Sequence, residues 1–478
     1  MARIVVIGAG LTGLATALLL ARDGHDVTVL ERDPAEPDGD AESLWRNWER
    51  PGVSQFRLPH QMLAYWRRLM ERELPEVIDE VERLGGRRIN PIDTMPVALT
   101  GGIRAGDEDL RGMSARRPVL EGALSAVAAR AQGVTVRRGA RVAALVPAPP
   151  GVHGVPHVGG VVIDAGEKLS ADLVVDAMGR NTSVDRMLGA IGARRPDEQA
   201  EELGFVYYCR QFRNNEPGSV PLTSGLIPYE GMSLLTIYGD ADTYSLCFYV
   251  ASNDRELRGL RDVDAWERAL ALFPNLGRLR SVSTPITGIQ VMAGSPDRRR
   301  SFVVDGAPVV TGLVAVGDAV VRTNPSLGRG SATGLVQACT LRDVLRDVGP
   351  DRSDEFATRF AEAIEAVVGP LYRRTLAQDR NRMAEIQADI AGTPHRPTGA
   401  TWQLQRALQR LVRMDADALR IYMRSALHIE PLDPAVFPAT LRAKIEAVDD
   451  EAPPYPAGGP TRAQLLAAVA DQPIRTVA

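Results

Sequence analysis

Apolar positions at the start of the chain form two short runs separated by one of helix length. Residues 4–7 are all β-branched and predict a strand, and residues 27–30 predict a second one. Between them, residues 14–21 combine alanine and leucine as buried helices do, and Gly24 ends this segment. The order predicts a βαβ unit with both strands in one parallel sheet.

Three glycines join the first strand to the helix. Gly8, Gly10 and Gly13 stand where a dinucleotide-binding unit needs a tight turn, a close approach to pyrophosphate, and close helix packing. The helix N-terminus would hold the phosphates, and Glu31 would accept hydrogen bonds from a ribose. The residues predicted to contact the cofactor here are Gly8, Gly10, Leu11, Thr12, Gly13, Glu31 and Arg32. This unit alone does not show whether the cofactor is NAD or FAD.

A later glycine motif decides between the two cofactors. The apolar run 313–316 ends on Gly317 and Asp318, which can bring backbone close to a polyol and offer it a carboxylate. FAD carries such a polyol in its ribityl chain. A loop with Pro325 then leads to Gly328 and Gly330 at the start of a helix, whose positive end can face a reduced flavin. We therefore predict FAD.

Hydrophobic and polar positions in the rest of the chain predict its other helices and strands. Helices are predicted at 61–73, 76–84, 117–130, 263–273, 330–344, 352–390 and 402–426, and a Pro- and Gly-rich loop at 147–160. Strands are predicted at 134–136, 141–146, 171–176, 205–212, 233–239, 243–250 and 283–290.

The predicted class is α/β, with a discontinuous Rossmann-like FAD-binding domain, an antiparallel β-sheet substrate domain and a helical C-terminal region. The FAD-binding domain would comprise residues 1–60, 101–185 and 301–350. Helices at 61–100 would extend toward the substrate domain at 186–300, and residues 351–478 would form the helical region, whose purpose the sequence leaves open.

Composition is that of an ordinary globular protein. Of 478 residues, 45% are hydrophobic and 24% charged, and a net charge of −4 argues against a nucleic-acid partner. Lysine occurs only at Lys168 and Lys444, so arginine is abundant and each single arginine is weak evidence of function. No uncharged apolar run reaches about 18 residues, so we expect no transmembrane segment.

The cysteines are Cys209, Cys247 and Cys339, an odd number without CxxC spacing. We expect buried thiols rather than disulfides, and no metal site. The first apolar stretch lacks the charged leader of a signal peptide and is broken by glycines. We therefore expect a cytoplasmic protein.

The motifs resemble those of a known enzyme family. The first glycine motif, the segment Asp176-Ala177-Met178-Gly179-Arg180 and the pair Gly317-Asp318 resemble the three fingerprints of the para-hydroxybenzoate hydroxylase superfamily of FAD-dependent monooxygenases. Met178 stands where threonine is commoner in that family. Residues 50–60 and 206–212, and residues 317–319 with Asn324 and Pro325, more closely resemble flavin-dependent epoxidases of polyether biosynthesis.

The resemblance implies roles for individual residues. These are Glu31, Arg57 and Arg117 at the ribose and pyrophosphate, Val142 at the adenine, Asp176 and Gly179 in the second fingerprint, Asp318 at the pyrophosphate and ribityl hydroxyls, and Pro325, Gly328 and Gly330 beside the isoalloxazine. Ion-paired or solvated side chains are the alternative at Arg57 and Arg117, and a turn cap is the alternative at Asp318.

The resemblance also implies an activity. Reduced FAD would react with O2 to give a flavin C4a-hydroperoxide, which passes one oxygen atom to a small, largely apolar metabolite by epoxidation or hydroxylation, in secondary metabolism. The protein would position the substrate and exclude water, so no catalytic side chain is required. Electrons would come from NAD(P)H (NADPH, for example) bound transiently, or from a partner flavin reductase.

The sequence assigns no catalytic residue. The pocket candidates are His60, Tyr207, Tyr208, Arg210 and Tyr249. A structural histidine in the domain interface is the alternative for His60. The other four lie on predicted strands, where only alternate side chains face a cavity.

Other enzyme classes share this fold and differ in the residues that they require. Flavin-dependent halogenases would need an active-site lysine and a Trp-x-Trp-x-Ile-Pro segment, and disulfide reductases a redox cysteine pair, none of which the sequence offers. An FAD-dependent dehydrogenase or double-bond reductase stays open, since fold does not fix function. A non-enzymatic, partner-binding relative is the remote alternative.

Overall fold

The structure is a computed structural model that describes residues 1–149, 154–217, 225–294, 296–395, 399–448, 455–456 and 458–470. Its strands are β1 (Arg3–Ile7), β2 (Asp26–Glu31), β3 (Gln61–Met62), β4 (Arg87–Ile89), β5 (Gly112–Ser114), β6 (Val134–Arg138), β7 (Val142–Ala148), β8 (His157–Ile163), β9 (Lys168–Ser170), β10 (Leu173–Asp176), β11 (Asp197–Glu201), β12 (Phe205–Asn214), β13 (Gly225–Tyr229), β14 (Met232–Tyr238), β15 (Thr243–Ala251), β16 (Ser283–Pro285), β17 (Gln290–Ala293), β18 (Asp297–Ser301), β19 (Val303–Val304), β20 (Ala307–Pro308), β21 (Leu313–Ala315) and β22 (Val321–Arg322). The helices are α1 (Leu11–Arg22), α2 (Ala41–Asn47), α3 (Ala64–Glu73), α4 (Pro75–Arg83), α5 (Val97–Thr100), α6 (Arg117–Arg130), α7 (Val184–Ala190), α8 (Val263–Leu270), α9 (Pro274–Ser281), α10 (Gly330–Val348), α11 (Ser353–Ala391), α12 (Ala400–Leu411), α13 (Ala416–Ala426), α14 (Ala439–Glu446) and α15 (Arg462–Val469).

A five-stranded parallel sheet has the strand order β21-β10-β1-β2-β6. Because β1 pairs in register with both β2 and β10, the carboxyl ends of these strands lie at one edge, where such sheets bind ligands. Ile4 and Val6 pack against the helical layer of α1, α6 and α10, while Val5 and Ile7 pack beneath the β7-β8-β9 sheet. The five strands come from well-separated parts of the chain, so this domain is discontinuous, as predicted.

An antiparallel sheet forms the second layer, in the order β13-β14-β15-β12-β16, with β17 also paired to β12. The strand predicted at 283–290 is wrong as one element, because Pro285 ends β16 and β17 begins only at Gln290. β13 was not predicted.

Helices dominate the last third of the described chain. The 39-residue α11 packs Phe356 and Phe360 into the core of the parallel sheet and Ile386 against β12 and β15. The helix predicted at 402–426 is two helices, because Asp415 accepts the N–H groups of Asp417 and Ala418 and so caps the start of α13.

The predicted α/β class, with its Rossmann-like sheet, antiparallel sheet and helical C-terminal region, is confirmed. The domain boundaries stay predictions, and parts of the predicted 147–160 loop and of the 351–478 region lie outside the described residues. Within the described part of the chain, no helix is both long and apolar enough to cross a membrane.

Candidate active site

A cavity of about 1070 Å³ lies between the two main sheets and the C-terminal helices. One end is walled by the β1–α1 turn and Glu31, and the other by β12, β15 and the helices α11 to α13. Small-molecule sites usually occupy roughly 300–1000 Å³. The cavity therefore exceeds the usual range, which suits a large, extended ligand.

The β1–α1 turn forms an open cradle at the first end of the cavity. Gly8 has a φ of +110°, and a Cβ there would lie 2.7 Å from the carbonyl oxygen of Ala177. A Cβ at Gly13 would overlap the carbonyl oxygen of Gly8, so Gly13 serves helix packing and does not line the cavity. At Gly10 a Cβ would meet no protein atom within 4 Å. The space beside Gly10 and the N-terminus of α1 fits a pyrophosphate.

A buried carboxylate cluster surrounds Arg50, a residue that sequence reasoning did not single out. Its guanidinium nitrogens lie 2.5 Å from Glu31 Oε2, 2.6 Å from Glu121 Oε2 and 3.3 Å from Asp33 Oδ2. Burial alone would lower the pKa of Arg50, but the carboxylates raise it above its ordinary value. Glu31 also accepts the N–H of Ala9 at 2.8 Å. These contacts fix the Glu31 carboxylate in the cavity wall.

Glu121 joins this cluster to a second arginine. Its Oε1 accepts a hydrogen bond from Arg117 Nε at 2.6 Å, and Arg117 Nη1 donates to His60 Nε2 at 3.0 Å. His60 Nδ1 donates to the carbonyl oxygen of Leu58, which fixes the neutral tautomer. Burial, reinforced by Arg117, lowers the pKa of His60 to about 3. His60 lines the cavity, but these bonds favour the structural role in which it orients Arg117.

The second fingerprint divides between the cavity and the turn that follows β10. Gly179 lines the cavity, whereas Asp176 does not. Asp176 accepts the N–H of Met178 at 2.9 Å and the hydroxyl of Thr182 at 2.6 Å, and burial raises its pKa to about 6. Both oxygens of Asp176 hold the local turn and the residue lies outside the cavity wall, so the cofactor contact at Asp176 stays a prediction that this geometry does not favour.

The third fingerprint faces the cavity. Gly317 and Asp318 follow β21 and lie in the wall. Among the residues that the structure describes, none donates a hydrogen bond to the Asp318 carboxylate. Burial raises the pKa of Asp318, although Arg117 and Arg322 among other arginines oppose this. A carboxylate with unfilled acceptor positions suits the hydroxyls of a polyol.

The loop before α10 brings the flavin-end candidates together. Pro325 starts a 3₁₀ turn that ends at Gly328, which has a φ of +64°, and α10 begins at Gly330. All three residues line the cavity. The positive end of this 19-residue helix therefore lies at the wall and favours an anion there.

Most of the predicted cofactor contacts share the cavity wall. They are Gly8, Gly10, Leu11, Thr12, Glu31, Arg32, Arg117, Val142, Gly179, Gly317, Asp318, Pro325, Gly328 and Gly330. Arg57 is not among them. Its guanidinium lies 4.8 Å from the ring centroid of Trp45 and donates to the carbonyl oxygen of Trp48. Stacking of the Arg57 side chain on an indole favours its structural alternative, and the cofactor contact at Arg57 stays a prediction.

Strand alternation decides which pocket candidates face the cavity. Tyr207 on β12 and Tyr249 on β15 line it. Tyr208 belongs to the cluster on the opposite face of the sheet, with Trp266. Arg210 also projects there, with Nη1 2.5 Å from Glu267. Tyr208 and Arg210 are therefore wrong as pocket residues, since side chains two positions apart share a face.

Two cysteines also line this part of the cavity. The β12–β15 register places Cys209 directly opposite Cys247, with Cα atoms 4.0 Å apart, and the structure joins them in a disulfide. The expectation of free thiols is wrong for this pair, because directly opposite positions on antiparallel strands bring side chains close. Cys339 is free, and burial raises its pKa to about 12.

The C-terminal helices close the far end of the cavity. The polar side chains they contribute include Gln378, Asp379, Arg382, Trp402, Gln405, Gln409 and Tyr422. Facing them are apolar side chains that include Leu226, Ile227, Leu235, Ile237 and Met292. Sequence reasoning missed this wall. A signal existed, because Asp379 and Arg382 interrupt the buried stripe that Tyr372 and Ile386 continue along α11.

Comparison with known proteins agrees with this geometry. Residues 3–90 match the family described as FAD dependent oxidoreductase. Protein Rv3254 of Mycobacterium tuberculosis is 27% identical over 395 residues, which cover 77% of this chain and 78% of that protein. The FAD-dependent monooxygenase cfoG of Aspergillus candidus is 25% identical over 366 residues, which cover 72% of this chain and 77% of that protein.

A solved structure shares the fold across most of the chain. The flavin-dependent brominase Bmp2 matches with a TM-score of 0.60 and 17% identity, covering 93% of this chain and 98% of that one. At this identity the match concerns the fold alone. The family match and the relatives confirm the prediction of FAD. Residues 3–90 thus match the FAD dependent oxidoreductase family, and most of the chain is similar in sequence to an FAD-dependent monooxygenase.

Proposed function

We propose that the protein is an FAD-dependent monooxygenase that transfers one oxygen atom from O2 to a small, largely apolar metabolite, by epoxidation or hydroxylation. The proposal rests on one observation, which is that a single cavity contains both predicted sites. The same space is walled by the predicted FAD contacts and, at its far end, by apolar side chains with a few polar groups among them. The relative cfoG, named as an FAD-dependent monooxygenase, supports the same reaction class.

Particular groups of the chain would hold the cofactor. The open space beside Gly10 would take the pyrophosphate, Glu31 the ribose, and Asp318 the ribityl hydroxyls. When bound, FAD supplies the two-electron chemistry that activates O2. The positive end of α10 would stabilise negative charge at the flavin end of the cavity.

The enclosing walls have their own part in the reaction. The antiparallel sheet and the helices α11 to α13 would hold the substrate against the flavin end and keep water from the reacting atoms. Glu121 would keep Arg50 and Arg117 oriented through its two buried ion pairs.

Halogenation, the activity in the name of Bmp2, is not proposed for this chain. Lys168 lies on β9, and Lys444 lies on α14 and pairs with Asp415. Neither lysine lines the cavity. The side chain that a flavin-dependent halogenase would need is therefore missing from the cavity wall.

The test uses the purified holoprotein. We expect a yellow protein whose flavin absorbance, once reduced chemically under nitrogen, returns rapidly on mixing with O2. With ¹⁸O2, an aromatic probe (2-naphthol) or an alkene probe (styrene) should yield a product that carries one ¹⁸O atom. A colourless protein that binds no added FAD would contradict any flavoenzyme. Reduced flavin that stays stable in O2 would exclude oxygenation and leave the dehydrogenase or reductase alternative.

The electron donor is tested in the same protein. We propose that NADPH reduces the flavin either directly or through a separate flavin reductase. Rapid loss of flavin absorbance with NADPH alone under nitrogen would exclude the need for a reductase. Loss only after a flavin reductase is added would exclude direct reduction.

A further inference from the structure

A buried carboxylate lies where the loop before α10, with Pro325 and Gly328, meets the far end of the cavity. Asp379 on α11 is 2% exposed and forms part of the cavity wall. Its Oδ1 accepts a hydrogen bond from Ser326 Oγ at 2.9 Å. Its Oδ2 is buried without a hydrogen-bond partner among the described residues. No ion pair within the described chain neutralises Asp379, so ordinary stabilisation of the fold does not explain it.

The hydroxyl that Asp379 holds belongs to the loop beside the predicted flavin contacts. Ser326 lies between Pro325 and Gly328 and lines the cavity. Asn324 Nδ2 donates to Ser326 Oγ at 3.4 Å, and the Tyr207 hydroxyl donates to Asn324 Oδ1 at 2.5 Å. A hydrogen-bonded series therefore runs from Tyr207 through Asn324 and Ser326 to the carboxylate on α11.

The surroundings of Asp379 set its protonation near neutrality. Burial is the largest effect and, with the nearby Asp297, raises the pKa of Asp379 to about 7, while the hydrogen bond from Ser326 and the charge of Arg329 oppose the rise. Tyr207 and Tyr249 face it from the sheet, and burial holds the pKa of each phenol well above its ordinary range. Burial also raises the pKa of Asp297 to about 6, so Asp379 is the group of this cluster whose charge changes closest to pH 7.

The charge of Asp379 decides which way the Ser326 hydroxyl points. When the carboxylate is ionised it can only accept, so Ser326 donates to it and offers a lone pair to the cavity. When the carboxyl is protonated it can donate to Ser326, and the serine proton is then free to turn toward the cavity.

We propose that Asp379, acting through Ser326, makes the flavin end of the cavity selective for substrates that present a hydroxyl or N–H group. The inference rests on the proposed function and narrows its substrate class to apolar molecules that carry a hydrogen-bond donor near the site of oxygenation. Asp379 is a positioning residue in this scheme, and Ser326 is the group that contacts the ligand.

The experiment compares two probes of similar size in the oxidised holoprotein. 2-Naphthol carries a hydroxyl donor, whereas 2-methoxynaphthalene can only accept, and the dissociation constant of each is measured from the change in the flavin spectrum. A hydrogen bond to the neutral Ser326 hydroxyl, polarised by the ionised Asp379 behind it, contributes about tenfold in affinity. At pH 8 we expect the wild type to bind 2-naphthol at least tenfold more tightly, and this preference should shrink toward pH 6 as Asp379 takes up a proton.

Three variants separate this role from a structural one. In Asp379→Asn the preference at pH 8 should fall to within about threefold and no longer depend on pH. Ser326→Ala should also remove it, and this variant decides the question if Asp379→Asn does not retain FAD. Glu362→Gln, on the same helix with its side chain 64% exposed, should behave as wild type.

The outcomes are distinct from those of the oxygenation test. Equal affinity for the two probes in the wild type, or an unchanged pH-dependent preference in both Asp379→Asn and Ser326→Ala, would overturn the inference. Because the binding assay requires no turnover, failure of ¹⁸O incorporation with an intact probe preference would contradict the proposed function alone.

Discussion

Replacing Glu121 by glutamine tests the buried network that positions two arginines. The Glu121 side chain is fully buried, and its two oxygens accept from Arg50 and Arg117 at 2.6 Å each. Glutamine keeps the shape of the side chain and removes its negative charge. Its amide N–H group then faces a guanidinium, which has no hydrogen-bond acceptor. Removing one partner of a buried pair costs about 3–5 kcal/mol. Because Arg50 keeps Glu31 and Asp33, we expect the lower end of this range, about 3 kcal/mol.

Urea unfolding followed by tryptophan fluorescence measures this cost. The Arg50 guanidinium lies 5.5 Å from the ring centroid of Trp48, so the fluorescence reports on the affected region. Because Arg117 loses its orientation, titration of the apoprotein with FAD should give at least a tenfold higher dissociation constant, which is about 1.4 kcal/mol.

A surface pair provides the matched control for this substitution. Glu167→Gln breaks the pair between Arg137 and Glu167, whose side chains are 33% and 51% exposed, and should leave the free energy of unfolding close to that of the wild type. A Glu121→Gln protein that unfolds within about 0.5 kcal/mol of the wild type, with unchanged FAD affinity, would refute the reasoning.

Three further predictions follow from the cavity. Gly10→Ala should fold normally and bind FAD at least tenfold more weakly, because its Cβ meets no protein atom within 4 Å, whereas Gly13→Ala should lower the melting temperature of the apoprotein because its Cβ overlaps a backbone carbonyl. Asp318→Asn should weaken FAD binding about tenfold in the same titration, while Asp305→Asn, at a side chain 84% exposed, should not. Asp379→Asn should stabilise the protein more at pH 8.5 than at pH 5.5 in urea unfolding. The pKa of Asp379 is raised from an ordinary 3.8 to about 7, so the wild type keeps its full stability only below about pH 4 and loses it as the pH rises through 7.

Features that depend on neighbouring residues were readable from the sequence. The first βαβ unit is one, because a β-branched run, three glycines and an acidic residue meet their requirements within about thirty positions. Gly317 and Asp318 are another, since strand, turn and carboxylate are contiguous. Each of these residues has a requirement that holds whatever the rest of the chain does.

Features that depend on contacts between distant segments were not readable. Arg50 meets Glu121 across 71 positions, and Ser326 meets Asp379 across 53. The opposite orientations of Tyr207 and Tyr208 follow from the pairing of β12 with β15, which periodicity alone leaves open. The pairing of Cys209 with Cys247 needs the same register. Abundant arginine hid Arg50 among many similar residues.

The long helix α11 restricts how this protein can change its length. Its 39 residues span roughly 58 Å, with Phe360 anchored in the core of the parallel sheet and Asp379 in the cavity wall. One residue inserted between these positions would turn every later side chain by about 100°, and Asp379 would leave the cavity. Surface loops tolerate insertions far more readily. Exchange of side chains along α11 to α13 can therefore change the substrate end of the cavity while Asp379 keeps its place, whereas a change in the length of α11 cannot.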